Sequence, residues 1–387
     1  MRLSCVAAGS VVVVTLAACG AGSGGPVAAP VPAASGHSHE ADAPSAEAAP
    51  PLREGERCVE LVTARPYTPE PPNGGTDEYR CLVVDPGLMQ AQFLTGVQYQ
   101  PDDAAISHHT ITFVVPPEDA DTARSLDEED PGEGWTCFGT GGLEGSTWAD
   151  AWTPGAQETL FEEDLGYLVE PGSLLVLQVH YNMLGTGGEA PAPDQPSVRL
   201  RLSEGTADTV PVDTLPLTAP IELPCLPEET GPLCDRDAAV ADVHERFGSD
   251  SVEQHAWLQE QCGPPAPGDT QSCDYEIPVP LTVYGSRGHM HLLGRSITME
   301  LNPGTPDARL LLDVPAFDFD DQFLDVYAEP VQVQPGDVLR VSCSHDASLR
   351  RQLPQLEGLP PRYVVWGEGT ADEMCLGMLT VAGIPTA

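Results

Sequence analysis

The sequence predicts an all-β protein built from two tandem antiparallel β-sandwich domains of jelly-roll type. Short apolar runs separated by proline and glycine, such as residues 92–99 and 198–202, recur from about residue 55, and this spacing favours a sandwich over alternating strands and helices. Residues 169–182 also align with residues 333–346, and each stretch has a Pro-Gly pair before an apolar strand. One topology used twice explains this similarity and implies two sandwiches side by side.

The N-terminal region is predicted to be a secretion signal. Residues 6–18 form an apolar segment that is too short to span a membrane but has the length of a signal-peptide core. The segment ends in Leu-Ala-Ala-Cys at residues 16–19, which resembles a bacterial lipobox. We expect a bacterial lipoprotein that touches a membrane surface only through a lipidated Cys19. Ordinary cleavage with full secretion is the alternative, and both place the chain outside the cytoplasm.

Composition and spacing divide the chain into five parts. Residues between the signal and the first strand are rich in Ala, Pro, Gly and Ser without apolar periodicity, which is typical of a disordered tether. The predicted order is a signal peptide with lipobox at 1–19, a linker at 20–54, an N-terminal sandwich at 55–215, a cysteine-rich insert at 216–274 and a C-terminal sandwich at 275–387.

The charge balance excludes one class of partner. The chain has 59 acidic residues against 17 basic ones, all of them arginine, for a formal net charge of -42. Such a surface repels the phosphates of nucleic acids and anionic lipid headgroups. We therefore predict no nucleic-acid function.

Cysteine usage fits an oxidising compartment. Of eleven cysteines, nine remain once Cys5 leaves with the signal and Cys19 is lipidated, and an odd number leaves at least one outside intramolecular disulfides. The insert holds four cysteines and one helical stretch, residues 237–247. His244 and His255 lie in the same insert and are predicted to be surface polar residues. The local pairings expected in the insert are Cys225 with Cys234 and Cys262 with Cys273.

The second half carries a histidine pair suited to a metal. Residues 277–301 are apolar and β-branched, as strands are. Residues two apart in a strand project from the same face, so His289 and His291 can present both imidazoles to one ion. The same pattern occurs in zinc sites and on plain surface strands, so the pair alone does not define the metal.

The first half has a second histidine cluster. His108 and His109 are adjacent and would point to opposite faces of an ideal strand, so they can share one ion only if the strand is bulged or ends there. His180 supplies a third imidazole from an apolar strand, although a lone histidine there is more typical of a core residue. Three neutral imidazoles suit copper or zinc.

Met374 distinguishes between these metals. A thioether is a soft ligand that Cu(I) favours and zinc does not, so two histidines with Met374 select copper. In a strand, Met374 points away from Cys375, so a disulfide at Cys375 could anchor the strand while Met374 faces a metal. Without such context a methionine at this place is typical of core filling.

Four stretches in order carry a resemblance to a known family. They are His-His-Thr at 108–110, Leu-Gln-Val-His-Tyr at 177–181, His-Met-His-Leu-Leu-Gly at 289–294 and Asp-Glu-Met-Cys at 372–375. The chain resembles the copper type II, ascorbate-dependent monooxygenases, the family of peptidylglycine α-hydroxylating monooxygenase and dopamine β-monooxygenase, and is most similar to their bacterial-type relatives. The resemblance spans residues 55–387 apart from the insert.

The resemblance implies one copper in each sandwich, facing across a solvent-filled cleft. It implies an electron-transfer copper held by His108, His109 and His180. It implies an oxygen-binding, catalytic copper held by His289, His291 and Met374. It also implies disulfides between Cys81 and Cys137 and between Cys343 and Cys375, a place near the first copper for Tyr79, and Cys58 as the odd thiol.

Arg287 is the candidate substrate residue. It matches the arginine with which the peptide-processing member of the family holds a substrate carboxylate, and such charge-assisted pairs are strong. Leu376 and Met378, however, stand where that member has asparagine and tyrosine, which argues against peptide α-hydroxylation. A structural ion pair is the alternative role for Arg287. The remaining polar residues of this half, His345, Asp318, Asp320 and Asp321, are predicted to be solvated.

The sequence therefore predicts a copper-dependent monooxygenase, a monomer with two coppers per chain. It would hydroxylate an activated C–H bond of a small organic or peptide-like substrate, using O₂ and ascorbate or another one-electron reductant. The first alternative is a non-catalytic extracytoplasmic lipoprotein that binds or stores copper. A zinc hydrolase is the second, and both Met374 and the lack of a carboxylate base at motif spacing argue against it.

Overall fold

The computed structural model describes most of the chain beyond the linker. The described residues are 50–72, 76–143, 145–186, 190–264, 266–319, 322 and 324–384. The predicted signal peptide, Cys19 and nearly all of the linker lie outside the described residues, as do Asp320 and Asp321.

The first half folds into two sheets that are antiparallel except for the short parallel pair β8-β11. One has the order β5-β2-β9-β4-β6, and the other has the order β1-β10-β3-β8-β11 with β7 paired to β3. The elements are β1 Glu56–Val62, β2 Asp77–Val84, β3 Gln92–Gln100, β4 Ser107–Val115, α1 Ala120–Glu129, β5 Trp135–Thr136, β6 Thr147–Trp152, β7 Thr159–Leu160, β8 Leu165–Val169, β9 Leu174–Asn182, β10 Ser197–Ser203 and β11 Val210–Pro211.

The five-stranded sheet of this half is apolar on both faces. In β9, Leu177 and Val179 face the core between the two sheets, whereas Val176 belongs to a separate cluster on the opposite face. Because side chains alternate along a strand, His180 lies on the face of Val176, away from the sandwich core. The histidines of the first half are therefore presented outward.

The second half also folds into two packed sheets. Their orders are β12-β21-β15-β18 and β14-β19-β16-β17, and a short β13-β20 pair stands beside them. The elements are β12 Asp213–Thr218, β13 Glu222–Leu223, α2 Arg236–Cys262, β14 Thr270–Glu276, β15 Leu281–His289, β16 Gly294–Leu301, β17 Arg309–Val314, β18 Asp325–Val333, β19 Val338–His345, β20 Val364–Val365 and β21 Leu376–Ala382. The prediction of an all-β protein with sandwich-like sheets is confirmed.

The second sandwich encloses its own core and packs against the first. Val283, Met299 and Val341 are buried between its sheets. The outward face of the five-stranded sheet lies against this sandwich. One contact between them is the hydrogen bond that the Tyr79 hydroxyl donates to the Glu368 carbonyl at 2.8 Å. Buried apolar side chains hold each sandwich together at about 25 cal/mol per Å² of buried surface, and polar contacts of this kind join the two.

The Pro-Gly pairs that relate the two halves form equivalent turns. Gly172 has φ 88° and Gly336 has φ 90°, a left-handed conformation that glycine adopts without strain at the third position of a turn with proline before it. Each turn is closed by a hydrogen bond, from Ser173 N to the Glu170 carbonyl at 3.1 Å and from Asp337 N to the Gln334 carbonyl at 3.0 Å. Each leads into a strand flanked on both sides, β9 and β19.

The insert is largely one kinked helix. Helix α2 begins at Arg236 after Asp235, whose side chain accepts from Ala238 N, and it continues through a non-helical Gly248 to Cys262. The predicted helix at 237–247 is its first segment, and the second segment was not predicted. Strands β12 and β14 cross the predicted domain boundaries and pair within the second sandwich, so the residues between them form the insert. Among the described residues, none of the helices has the length and apolar character needed to cross a bilayer.

The described residues form four disulfides, and their partners match the predicted pairs. Cys58 lies outside these disulfides, and its sulfur accepts a hydrogen bond from the Arg199 guanidinium at 3.9 Å. Four disulfides in one chain are typical of an oxidising, extracytoplasmic compartment. The pairs are Cys81 with Cys137, Cys225 with Cys234, Cys262 with Cys273 and Cys343 with Cys375.

We predict that removing the Cys343–Cys375 disulfide costs more stability than removing Cys225–Cys234. The first closes a loop with a sequence separation of 32 and the second one of 9. Loop-closure entropy then gives losses of about 4 and about 2.5 kcal/mol. Urea denaturation of the two double alanine variants measures the difference, with Cys58→Ala as the control for cysteine removal. Equal losses would contradict this entropic ranking.

Candidate metal centre

Three imidazoles of the first half converge on one point. The candidate ligand atoms of His108, His109 and His180 all lie within 4.8 Å of one another. The Nδ1 atoms of His108 and His180 are 3.2 Å apart. Among the described residues, these three form the one group of at least three His, Cys, Asp or Glu side chains with this spacing.

A β-bulge allows the two adjacent histidines to share this point. Ser107 pairs with Tyr181 and His109 pairs with His180, with a register shift between the two pairs. His108 is therefore the extra residue of the bulge, and the backbone turns its side chain to the same side as His109. The strand is thus bulged at His108, which is the condition under which His108 and His109 can share one ion.

Asp77 orients the third imidazole. His180 Nε2 donates to Asp77 Oδ1 at 3.0 Å, and the same oxygen accepts from Asn182 Nδ2 and the Thr370 hydroxyl, each at 2.7 Å. Burial raises the pKa of Asp77, but the hydrogen bonds, led by that from His180, hold it below its ordinary value. A carboxylate on one ring nitrogen fixes the tautomer and leaves the lone pair of His180 Nδ1 for a metal.

Tyr79 covers His180 from the neighbouring strand β2. Its ring stacks on the imidazole with centroids 4.1 Å apart and planes 15° from parallel. Tyr79 faces His180 because the two residues are partners in the β2-β9 ladder. The stacking keeps water from one face of the imidazole.

The second histidine pair lies where β15 ends. The rings of His289 and His291 have centroids 5.3 Å apart. His289 Nδ1 donates to Gln322 Oε1 at 2.7 Å, and His291 Nδ1 donates to the Asp372 carbonyl at 3.2 Å. These bonds fix both tautomers and leave a lone pair on Nε2 of each ring.

Among the candidate ligands, two buried ring nitrogens have no hydrogen-bond partner among the described residues, His109 Nδ1 and His291 Nε2. A buried polar atom without a partner costs free energy, and a metal ion would satisfy both nitrogens. Burial lowers the pKa of His289 to about 3 and those of His108 and His109 well below the usual value. The rings are therefore neutral near pH 7, which is the state that binds a metal.

Glu373 holds the turn that carries His291. Its carboxylate, which is fully buried, accepts from His291 N at 2.9 Å and Leu293 N at 2.5 Å. His289 pairs with Leu376 in the β15-β21 ladder, and Met374 lies two residues before Leu376. The adjacent Cys375 is tied to Cys343, which fixes the chain on the other side of Met374.

The insert supports the same turn through Asp372. The Arg246 guanidinium binds both carboxylate oxygens of Asp372 at 2.7 Å, and Arg362 donates to it at 2.8 Å. Burial raises the pKa of Asp372, but the two guanidiniums, Arg246 foremost, hold it below its ordinary value. Helix α2, which carries Arg246, thereby fixes the carbonyl that accepts from His291.

The two histidine sets are in contact with each other. The rings of His109 and His289 have centroids 5.5 Å apart, and Phe319 stacks on His108 at 4.7 Å. The cavity beside His109 and His289 has a volume of about 20 Å³, which is room for about one water. The two histidine sets thus lie in contact, rather than facing each other across the solvent-filled cleft that the resemblance implies.

Arg287 joins the two sandwiches. Its Nη1 donates to the Ala151 carbonyl at 2.9 Å and lies 3.6 Å from Asp150 Oδ1. Its Nε is buried and has no partner among the described residues. The guanidinium also lines the small cavity beside His109 and His289. The structural ion pair is present, and Nε is the donor of this guanidinium that it leaves unused.

Several residues of the site could not be found from the sequence. Asp77, Phe319 and Gln322 contact the histidines, yet none stands in a recognisable motif, and Phe319 lies in an acidic run interpreted as solvated. The interpretation of His345 as solvated was wrong, because His345 is 4% exposed and its Nε2 lies 3.5 Å from a Glu373 carboxylate oxygen. The Asp-Glu pair before Met374 was the available signal for that contact.

Comparison with known proteins covers the second sandwich. Residues 269–380 match the sequence model of the C-terminal domain of copper type II ascorbate-dependent monooxygenases. This range contains His289, His291 and Met374, so the match supports that family for this part of the chain. No curated protein matches the chain.

Solved structures give only distant similarity. The chain is similar to the major capsid protein P2 of bacteriophage PM2 (TM-score 0.30, 8% identity, 84% of this chain and 97% of that one). It is also similar to the N-glycanase PNGase F (TM-score 0.28, 10% identity, 84% and 95%) and to allantoicase (TM-score 0.19, 12% identity, 75% and 88%). We draw nothing from scores this low.

We predict that Glu373→Gln destabilises the protein by about 3 kcal/mol, since hydrogen bonds to a charged group contribute about 1.5–3 kcal/mol each. The glutamine side chain has the shape of glutamate, but an NH₂ group replaces one carboxylate oxygen. That donor would then face the backbone N–H groups, which are donors too. Urea denaturation measures the loss. The matched control is Glu357→Gln, because Glu357 is exposed. If both variants unfold at the same urea concentration, Glu373 does not hold the turn.

We also predict a pH-dependent cost for Arg287→Ala. Burial raises the pKa of Asp150, and Arg287 opposes that shift, so the variant raises the pKa further. Near pH 7 the variant leaves a buried carboxylate unpaired, at a cost of about 3 kcal/mol. At a pH below the raised pKa of Asp150, the carboxyl is protonated in both proteins, and the charge part of the cost vanishes.

Denaturation of wild type and Arg287→Ala at both pH values tests this, with Arg309→Ala, an exposed arginine, as the control. A loss that is the same at both pH values would show that Arg287 acts by packing alone.

Proposed function

We propose that the chain is a copper-dependent monooxygenase that hydroxylates an activated C–H bond of a small organic or peptide-like substrate. It would use O₂ and ascorbate or another one-electron reductant. The observation that carries the proposal is that two donor sets meet, and each contains a buried ring nitrogen without a partner among the described residues, His109 Nδ1 and His291 Nε2. The family match over residues 269–380 supports the same activity.

The donor sets fit two coppers of different character. His108, His109 and His180 would hold one through three imidazoles, which accommodate both oxidation states. His289 and His291 would hold the other with Met374, whose thioether favours Cu(I). When bound, the two coppers would supply electron transfer and activation of O₂.

The chain's own residues have three tasks in this proposal. Asp77, Gln322 and the Asp372 carbonyl hold the tautomers that leave ligand nitrogens free. Tyr79 and Phe319 cover the imidazoles and exclude water. Arg287 would anchor an anionic group of the substrate with its unpartnered Nε.

A substrate larger than a water does not fit the cavity of about 20 Å³ in this conformation. Turnover therefore requires the contact between the sandwiches to open.

The same closed cavity favours a second candidate, a copper-binding or storage protein without turnover. Such a protein needs the imidazoles and Met374 but no room for a substrate. It would share the proposed location, a lipid anchor at Cys19 or secretion, and the monomeric state.

Copper content and electron paramagnetic resonance of the purified protein test the site. We expect two coppers at the candidate metal centre in wild type, and we expect His180→Ala and Met374→Ala each to disturb a different one. Met89→Ala is the matched control, because Met89 is 89% exposed. One copper, or zinc in its place, would refute the two-site scheme.

Turnover separates the two candidate functions. A monooxygenase consumes ascorbate in a copper-dependent way and forms a hydroxylated product in proportion. A storage protein with both coppers bound forms no product from any substrate screened.

A further inference from the structure

Helix α2 brings two histidines together outside the candidate metal centre. His244 Nε2 and His255 Nδ1 are 2.9 Å apart, with ring centroids at 5.0 Å. Residues 11 apart in a continuous helix are about 16 Å apart along its axis. Gly248, at φ 68° and ψ -150°, folds the helix back between them, and this conformation is open essentially to glycine alone.

We propose that His244 and His255 form an additional site for a divalent transition metal, Cu²⁺ in preference to Zn²⁺. This site is separate from the candidate metal centre formed by His108, His109, His180, His289 and His291. The proposal rests on the geometry of the insert and does not depend on the monooxygenase activity.

The hydrogen bonds leave the right lone pair on His255. Its Nε2 donates to the Trp366 carbonyl at 2.7 Å, so its Nδ1 carries the lone pair and points at His244. A backbone carbonyl on the far nitrogen is the usual support of a metal-binding imidazole. His244 can also present a lone pair, on Nε2, if its proton moves from Nε2 to Nδ1. This change of tautomer leaves the imidazole neutral.

The separation of the two nitrogens suits a tetragonal ion. With imidazole–metal bonds of about 2.0–2.1 Å, two nitrogens at right angles are about 2.9 Å apart. Adjacent positions at right angles are those of Cu²⁺, while tetrahedral zinc needs a wider spacing. Burial lowers the pKa values of both histidines, so both are neutral near pH 7 and ready to bind.

The surroundings leave room for the remaining coordination positions. The pair lines a solvent-open groove of about 290 Å³ together with Glu222, Arg236 and Gln259. Glu222 is committed to Arg236 through two hydrogen bonds at 2.5 and 2.6 Å, so water would complete the site. A formal net charge of -42 also concentrates divalent cations at the surface.

The test is a Cu²⁺ titration of the full-length protein, read by bound copper after dialysis and by quenching of tryptophan fluorescence, since Trp366 lines the groove. We expect His244→Ala and His255→Gln to bind one Cu²⁺ fewer than wild type. Glu253→Ala, on the same helix and exposed, is the control and should bind as wild type does. His255→Gln keeps a donor for the Trp366 carbonyl, so it also serves if His244→Ala fails to fold.

The titration is repeated in a His180→Ala, His291→Ala background to separate this site from the predicted centre. Loss of one Cu²⁺ on adding His244→Ala to this background supports the proposal. Equal copper in the His244→Ala and Glu253→Ala proteins overturns it. If the background substitutions alone remove no copper, the proposed function fails, while the His244 comparison still decides this site.

Discussion

The buried Asp372-Glu373 pair is the constraint on which the candidate metal centre depends. The Asp372 carboxylate accepts two hydrogen bonds from the Arg246 guanidinium, and its backbone carbonyl accepts one from His291. Glu373 takes the backbone N–H groups of His291 and Leu293. These two adjacent residues thus fix both the imidazole and the backbone of His291. They also lie directly before Met374 in the chain. Breaking a buried ion pair of this kind costs about 3–5 kcal/mol, so the loop has little freedom to relax.

The duplication of the fold does not extend to its histidines. In the first sandwich they come from the paired strands β4 and β9, on the outward face of one sheet. In the second, both histidines come from the end of β15 and the turn after it, and Met374 comes from the segment before β21, although the strand equivalent to β9 is β19. The two donor sets therefore arose on different parts of a repeated architecture, and they meet only because the outward face of the first sandwich is covered by the second.

The sequence predicted what depends on short range. Alternation along a strand was enough to pair His289 with His291, and it also showed that His108 and His109 need a bulge to act together. Short separations were enough for the two disulfides of the insert. Contacts such as Asp77 with Thr370, which are 293 residues apart, leave no local pattern. The sequence did not predict the second segment of α2, because a glycine such as Gly248 commonly ends a helix. In the structure Gly248 forms a kink, and the helix continues beyond it.

The contact between His109 and His289 also bears on the order of assembly. His109 is buried and His289 is half-buried when the sandwiches are closed, and the space beside them holds about one water. An ion destined for this cluster must therefore arrive while the chain is still folding, or wait until the two sandwiches part. In the closed protein, uptake is governed by how often that contact opens and not by how often an ion meets the surface.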